Sequence, residues 1–346
     1  MATLTGAVQL AFLQGYTPDT STVTGSSLYT VHGEQYQVVN NDSGNYVAIQ
    51  AGVTRVILND SDGAAIIIGD DDVHVSSVQT YTSNKIIAGG GDNTIVLEGG
   101  NNAIRVGDGD NLIETGWGND TITAGSGNDT IVSGYGNDLI RAGGGNDLVV
   151  LGYGNSTVFA GSGNDTILGG YGSQFIDAED GNDLIIAGGG DNTLLGGVGN
   201  DTITGSYGND SISGGAGNDS LTGGDGNNTI DGGTGNDSII AGTGVDKILK
   251  GTASIESDRV TGFNAGTSST GVDKIIASDT ANSSSAGFTE DSNTVDNATF
   301  ATFGSDYKVV SANSGADSII IFPDGSRITL VGVAPANIDP TDFATS

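Results

Sequence analysis

Between residues 89 and 249 the apolar positions return with a period of nine. Ile95, Ile104, Ile113, Ile122, Ile131, Ile140, Val149, Val158, Ile167, Ile176, Ile185, Leu194, Ile203, Ile212, Leu221, Ile230, Ile239 and Ile248 each lie four residues after a glycine. That glycine itself recurs at every ninth residue from Gly91 to Gly244, without insertion. A lone aliphatic between polar neighbours fits a strand of about three residues, with that side chain inward and its neighbours outward. The glycine-rich remainder turns tightly, because glycine accepts backbone angles other residues avoid. Two phrases close one coil of 18 residues, so residues 18 apart share an edge. Coils of this kind stack at roughly 4.8 Å. The pattern predicts an all-β parallel solenoid over residues 85–250.

The flanks lack the phrase. In residues 1–84, "SLYTVHGEQYQVVNN", "YVAIQ", "TRVIL" and "AAIII" are short β-type runs between turn clusters. They predict a β-rich entry segment that caps the open end of the solenoid, where backbone groups would otherwise be unpaired. "SNKIIAG" at Ser83 reads as a degenerate first phrase. Residues 251–346 predict a β-rich C-terminal cap. In it, "DSIIIFPDGSRITLVGV" is a hairpin about a Pro-Asp-Gly turn and "ANSSSAGFTEDSNTVDNAT" is a loop.

Composition makes this fold a puzzle. There are 60 glycines, and Asp plus Glu outnumber Lys plus Arg by 42 to 10, for a net charge of −32. Such a balance ordinarily means disorder. It also excludes nucleic acid as a partner, since no basic patch is present. There is no cysteine, hence no disulfide framework. No stretch is long and apolar enough to enter a bilayer, and the first twenty residues lack the basic region of a secretory signal. One aliphatic per nine residues is a thin core, and stacked aspartates repel. The stabilising term this leaves open is a cation held between carboxylates. Calcium suits it, as a hard ion taking six to eight oxygens from Asp and from turn carbonyls.

The aspartates lie two residues after the repeating glycine. One edge of the solenoid reads Asn93, Asn111, Asp129, Asp147, Asp165, Asp183, Asp201, Asp219, Asp237. The other reads Asn102, Asp120, Asp138, Ser156, Gln174, Asn192, Asp210, Asn228, Asp246. The eleven aspartates in these columns are the candidate metal ligands. The first column is almost continuous in carboxylates and the second is interrupted. On the second edge another residue type lines up at coil spacing: Trp117, Tyr135, Tyr153, Tyr171 and Tyr207. An outward row beside the first edge carries Val132, Val150, Leu168 and Ile186. These aromatic and aliphatic strips are candidate interfaces, since aromatic residues and contiguous apolar patches favour contacts. Packing within the chain accounts for them equally well.

The phrase resembles GGxGxDxUx, the calcium-binding nonapeptide of the RTX (repeats-in-toxin) family, over Gly89 to Leu249. The resemblance implies a right-handed parallel β-roll, calcium ions held between turns two phrases apart, and type I secretion through an uncleaved C-terminal signal. "DRVTGFNAG" and "VDKIIAS" resemble the segment that closes such rolls, and "IDPTDFATS" resembles the type I tail, though Ala344, Thr345 and Ser346 follow its Phe343.

No catalytic motif accompanies the repeats. His32 and His74 are the only histidines, and neither lies in HExxH. No GxSxG and no phosphate-binding GxxxxGK[S/T] is present. The sequence therefore predicts a secreted, non-enzymatic protein that binds several calcium ions and assembles with copies of itself at the cell surface. The type I export machinery is its second partner. An adhesin that binds a glycan through the aromatic strip is the alternative.

Overall fold

A computed structural model describes residues 82–250 continuously, together with parts of 22–77 and of 257–345. The described residues form 33 strands and no helix. They stack as parallel coils, which makes the chain an all-β solenoid. The chain divides into two compact units, Met1–Gly170 and Tyr171–Ser346.

In the first unit two parallel ladders face each other. One aligns Ile66, Ile86, Ile104, Ile122, Ile140 and Val158. The other aligns Val56, Val75, Ile95, Ile113, Ile131, Val149 and Ile167. The coils thus begin before the first complete phrase, at Arg55–Leu58 and Val47–Ala48. The hairpin of Ser26–Val31 and Glu34–Val39 adds to this stack, with Glu34–Val39 pairing parallel to Arg55–Leu58.

The second unit repeats the design. Ile176, Leu194, Ile212, Ile230, Ile248 and Ile275 form one ladder. Ile185, Ile203, Leu221, Ile239 and Val260 form the other. Arg327–Leu330 pairs parallel to Ser257–Thr261 and antiparallel to Asp317–Ile321, so the expected C-terminal hairpin covers an edge of this roll. The Pro-Asp-Gly turn, the loop expected near residues 281–299 and the first 21 residues lie outside the described residues.

All eighteen periodic aliphatics are at most 3% exposed. The expectation of one inward residue per phrase needs correction, because most phrases bury three. Asp120, Ile122 and Ala124 alternate inward along one strand, and Asp147, Val149 and Leu151 do so along another. The third inward position varies along the chain. It is Leu97, Val106 and Thr115 at the start, Ala124, Ser133, Ala142, Leu151 and Ala160 further on, and in the second unit Ala178 and Ala187, then Gly196, Gly205, Gly214, Gly223 and Gly232, and finally Ala241. Each lost methylene forgoes roughly 0.8 kcal/mol of burial. The early coils are therefore the best supported by hydrophobic contact.

The repeating glycine has its own cause. Gly136 has φ 145° and Gly217 has φ 142°, angles that side-chain-bearing residues avoid. A Cβ at Gly136 would overlap the carbonyl oxygen of Gly118 one coil below. Backbones stack too closely there for any side chain.

Candidate metal centre

Nearly every turn of the repeat carries two adjacent polar residues, and they bridge coils in opposite directions. The outer one accepts from the following coil: Asn128 Oδ1 takes the N–H of Asn146 at 2.8 Å, and Asn146 Oδ1 that of Asn164 at 2.7 Å. The inner one accepts from the preceding coil: Asp147 Oδ1 takes the N–H of Asp129 at 2.7 Å, and Asp219 Oδ1 that of Asp201 at 2.8 Å. Turn N–H groups with no ladder partner are satisfied in this way. The inner residues are buried. All eleven candidate aspartates, Asp120, Asp129, Asp138, Asp147, Asp165, Asp183, Asp201, Asp210, Asp219, Asp237 and Asp246, lie inside the turns.

What the second atom of the inner side chain does depends on residue type. In most asparagine turns it is an amide nitrogen with two acceptors; Asn228 differs, its Nδ2 being buried without a partner. Asn111 Nδ2 donates to the Gly109 carbonyl at 2.8 Å and to Asp129 Oδ1 one coil on at 2.8 Å. Asn93, Asn102 and Asn192 repeat this arrangement. Gln174 reaches the Gly172 carbonyl in the same sense. In the aspartate turns Oδ1 keeps its ladder bond, and the second atom is an oxygen that cannot donate. Oδ2 of Asp120, Asp129, Asp138, Asp147, Asp201, Asp210, Asp219 and Asp237 is buried and receives no hydrogen bond. A buried, ionised oxygen without a donor is costly.

In the second unit the space beside these oxygens is visible through glycine. A Cβ added to Gly214 would overlap Asp219 Oδ2 and stand 2.5 Å from the Gly232 carbonyl oxygen. One added to Gly196 would meet Asp201 Oδ2 and the Gly214 carbonyl in the same way, and Gly205 has the corresponding pair in Asp210 Oδ2 and Gly223. A carboxylate oxygen and a carbonyl oxygen from the next coil thus converge on one small space. No three His, Cys, Asp or Glu side chains converge to hold a metal ion among the described residues. An ion here would draw much of its shell from backbone carbonyls, a donor set suited to a hard cation such as calcium.

The electrostatics agree. Burial pushes Asp147 up to about 7, with the charges of Asp165 and Asp129 adding to the effect. Burial likewise raises Asp120 and Asp219 to about 6; the nearby charge of Asp138 adds at the first, and those of Asp237 and Asp201 at the second. Asp129, Asp138, Asp165, Asp201, Asp210 and Asp237 are raised too, each chiefly by burial. These groups favour a proton, or a cation in its place.

The candidate interface residues occupy the outside. Trp117, Tyr135 and Tyr153 are exposed at 59%, 43% and 53%. Their rings stack, with centroids 4.5 Å apart for Trp117–Tyr135 and 5.1 Å for Tyr135–Tyr153. In the second unit Tyr171 lies over Gly189, and Tyr207 is exposed. Val132, Val150 and Leu168 align in register as a half-buried outward row, and Ile186 is exposed in the second unit.

The sequence reading missed two elements of the site: the amide closure of the asparagine turns and the glycines Gly196, Gly205 and Gly214 that open the cradle. The signal for both lay in the inner column, where a run of Asn gives way to Asp, and in the residue five positions before each Asp.

A family model for the RTX calcium-binding nonapeptide repeat matches in overlapping copies from residues 80–113 to 222–249. Residues 80–249 belong to the RTX calcium-binding repeat family. RTX nonapeptides bind calcium, and the copies here imply several ions. The aspartate turns fit that assignment: calcium held by their Oδ2 atoms and the converging carbonyls would neutralise the buried charge and join consecutive coils. No curated protein matches the chain. A solved structure, the extracellular lipase LipA from Serratia marcescens, is similar at 19% identity with a TM-score of 0.23. The similarity spans 56% of this chain and 40% of the lipase.

Proposed function

We propose that this RTX protein is secreted, folds on extracellular calcium, and has a structural, non-enzymatic role. Copies assemble through their outward strips into a filament, lattice or matrix at the cell surface. The observation that carries this reading is the ladder of Trp117, Tyr135 and Tyr153, stacked at coil spacing with the rings in solvent. The aligned row of Val132, Val150 and Leu168 supports it. Large exposed aromatic and aliphatic groups in register are costly on a protein that works alone, and they are enriched where surfaces meet. RTX proteins are generally secreted. Calcium linkage suits that route: scarce cytosolic calcium leaves the acidic roll unfolded, and abundant external calcium folds it.

Light scattering with size separation during a calcium titration tests the proposal. Growth to large assemblies is the expected result, and a compact monomer at high concentration and saturating calcium contradicts it. The solvent-exposed aromatic ladder also favours a second reading, a glycan-binding module. In that case replacing Tyr135 and Tyr153 by alanine abolishes glycan binding while the calcium-loaded chain stays folded and monomeric.

A further inference from the structure

The inner turn residues are not mixed at random along the first unit. Asn84, Asn93, Asn102 and Asn111 come first, in four consecutive turns, and Asp120, Asp129, Asp138 and Asp147 follow in the next four. We infer that these four asparagine turns hold no calcium, and that the coils up to Gly118 are a calcium-independent block on which the first calcium-dependent coils assemble. The inference rests on the reading of the aspartate turns as calcium sites.

Two independent observations carry it. The first is the hydrogen bonding. Where a calcium turn has an oxygen in need of a cation, each of these four asparagine turns has a donor already bridging two oxygens. Asn93 Nδ2 joins the Gly91 carbonyl at 2.9 Å to Asn111 Oδ1 at 3.1 Å, and Asn102 Nδ2 joins the Gly100 carbonyl at 2.9 Å to Asp120 Oδ1 at 2.9 Å. Asn84 Nδ2 bonds both the Thr82 carbonyl and Asn102 Oδ1 at 3.0 Å. The amide performs within the chain what calcium would perform between coils, and its two hydrogens occupy the direction an ion would need. The second observation is the core. This block buries Leu58, Ile66, Ile68, Val73, Val75, Leu97 and Val106 besides its share of the periodic aliphatics, whereas the aspartate coils that follow have Ala124, Ser133, Ala142 and Leu151 in the third inward position, one large aliphatic in four. The coils without inner-turn carboxylates are those with the apolar burial to stand without an ion.

The block also prepares its neighbour. Asn102 and Asn111 each offer a backbone N–H and an amide N–H to one oxygen, Asp120 Oδ1 and Asp129 Oδ1. The first aspartate on each edge is therefore received by two donors before any ion binds.

Hydrogen exchange of the whole chain, in chelator and in calcium, tests the inference. Amides of the strands Thr94–Val96, Ala103–Arg105 and Leu112–Glu114 stay protected in both buffers, while those of Thr130–Gly134 and Leu148–Leu151 lose protection in chelator and regain it with calcium. If residues 84–118 exchange in chelator as freely as the aspartate coils, the inference is overturned and the calcium reading survives. If the aspartate coils stay protected in chelator, the calcium reading falls, and the inference with it. The double variant Asn93→Asp and Asn111→Asp gives a second readout. It removes two amide bridges and adds two carboxylates, so the block becomes calcium-dependent: protection is lost in chelator and returns with calcium. Unchanged protection in chelator overturns the inference.

Discussion

Asn111 gives both its backbone N–H and its amide N–H to a single oxygen of Asp129, each at 2.8 Å. That pair marks the place on its edge where the roll passes from turns closed by an amide to turns that need a cation. The two side chains are nearly isosteric, so one atom, nitrogen or oxygen, decides between the two modes of closure.

Asp147 tests that distinction. Asp147→Ala removes the acceptor for the Asp129 N–H and leaves a buried donor unmatched, at a cost of about 1–3 kcal/mol. Asp147→Asn keeps the acceptor and exchanges the charge for a donor. The account predicts that the alanine variant is less stable than wild type in calcium. It predicts that the asparagine variant is more stable than wild type in chelator and binds less calcium. Denaturant unfolding in both buffers, with a calcium count by titration, measures both effects.

The glycines separate cradle from backbone. Gly214 carries no left-handed angle, and its Cβ direction enters the space between Asp219 Oδ2 and the Gly232 carbonyl. Gly217 has φ 142° and packs on the Gly199 backbone. Gly214→Ala should raise the calcium concentration needed for folding of the second unit while leaving a folded product at saturation. Gly217→Ala should destabilise the fold at any calcium concentration. Circular dichroism across a calcium series distinguishes the two. Equal behaviour of the two variants contradicts the cradle.

The raised aspartates set a pH dependence with a definite sign. Without calcium, Asp147 titrates at about 7 and Asp120 and Asp219 at about 6 in the folded chain, against 3.8 as the ordinary value. Between those limits the folded state binds more protons than the unfolded one, so its stability falls as pH rises from about 4 to about 7. The chelated chain should therefore gain β-structure on acidification through that window. Calcium must displace those protons, so its folding midpoint should move to higher calcium as pH falls from 7 to 5, with proton release detectable by calorimetry in buffers of different ionisation enthalpy.

Tyr135 stacks on both Trp117 and Tyr153. Tyr135→Ala should cost about 0.5–1.5 kcal/mol per stacked pair, shift the fluorescence of Trp117, the chain's only tryptophan, and reduce calcium-dependent assembly. Assembly at the wild-type level would remove the aromatic ladder from the contact.

Much of this architecture was legible before any coordinates. The nine-residue period located the core aliphatics, the repeating glycine and the two inner columns, because each places one residue type in one environment at every turn. The third inward position escaped notice since it runs from Leu97 through Ala124 to Gly214 and shows no constant hydrophobic signal. The amide closure escaped because composition treats Asn93 and Asn111 as ligands missing from a carboxylate column, whereas the hydrogen bonds show side chains that complete their turns unaided. The parallel coils at Val47–Ala48 and Arg55–Leu58 were only hinted at, because irregular spacing hides the register that pairing restores.

The most direct test is a calcium titration of the chelator-treated chain followed by far-ultraviolet circular dichroism, with magnesium as a control. The account predicts a cooperative gain of β-signal with calcium at neutral pH, little response to magnesium, and reversal on adding chelator. A β-signal already complete in chelator at neutral pH, and unchanged by calcium, would contradict it.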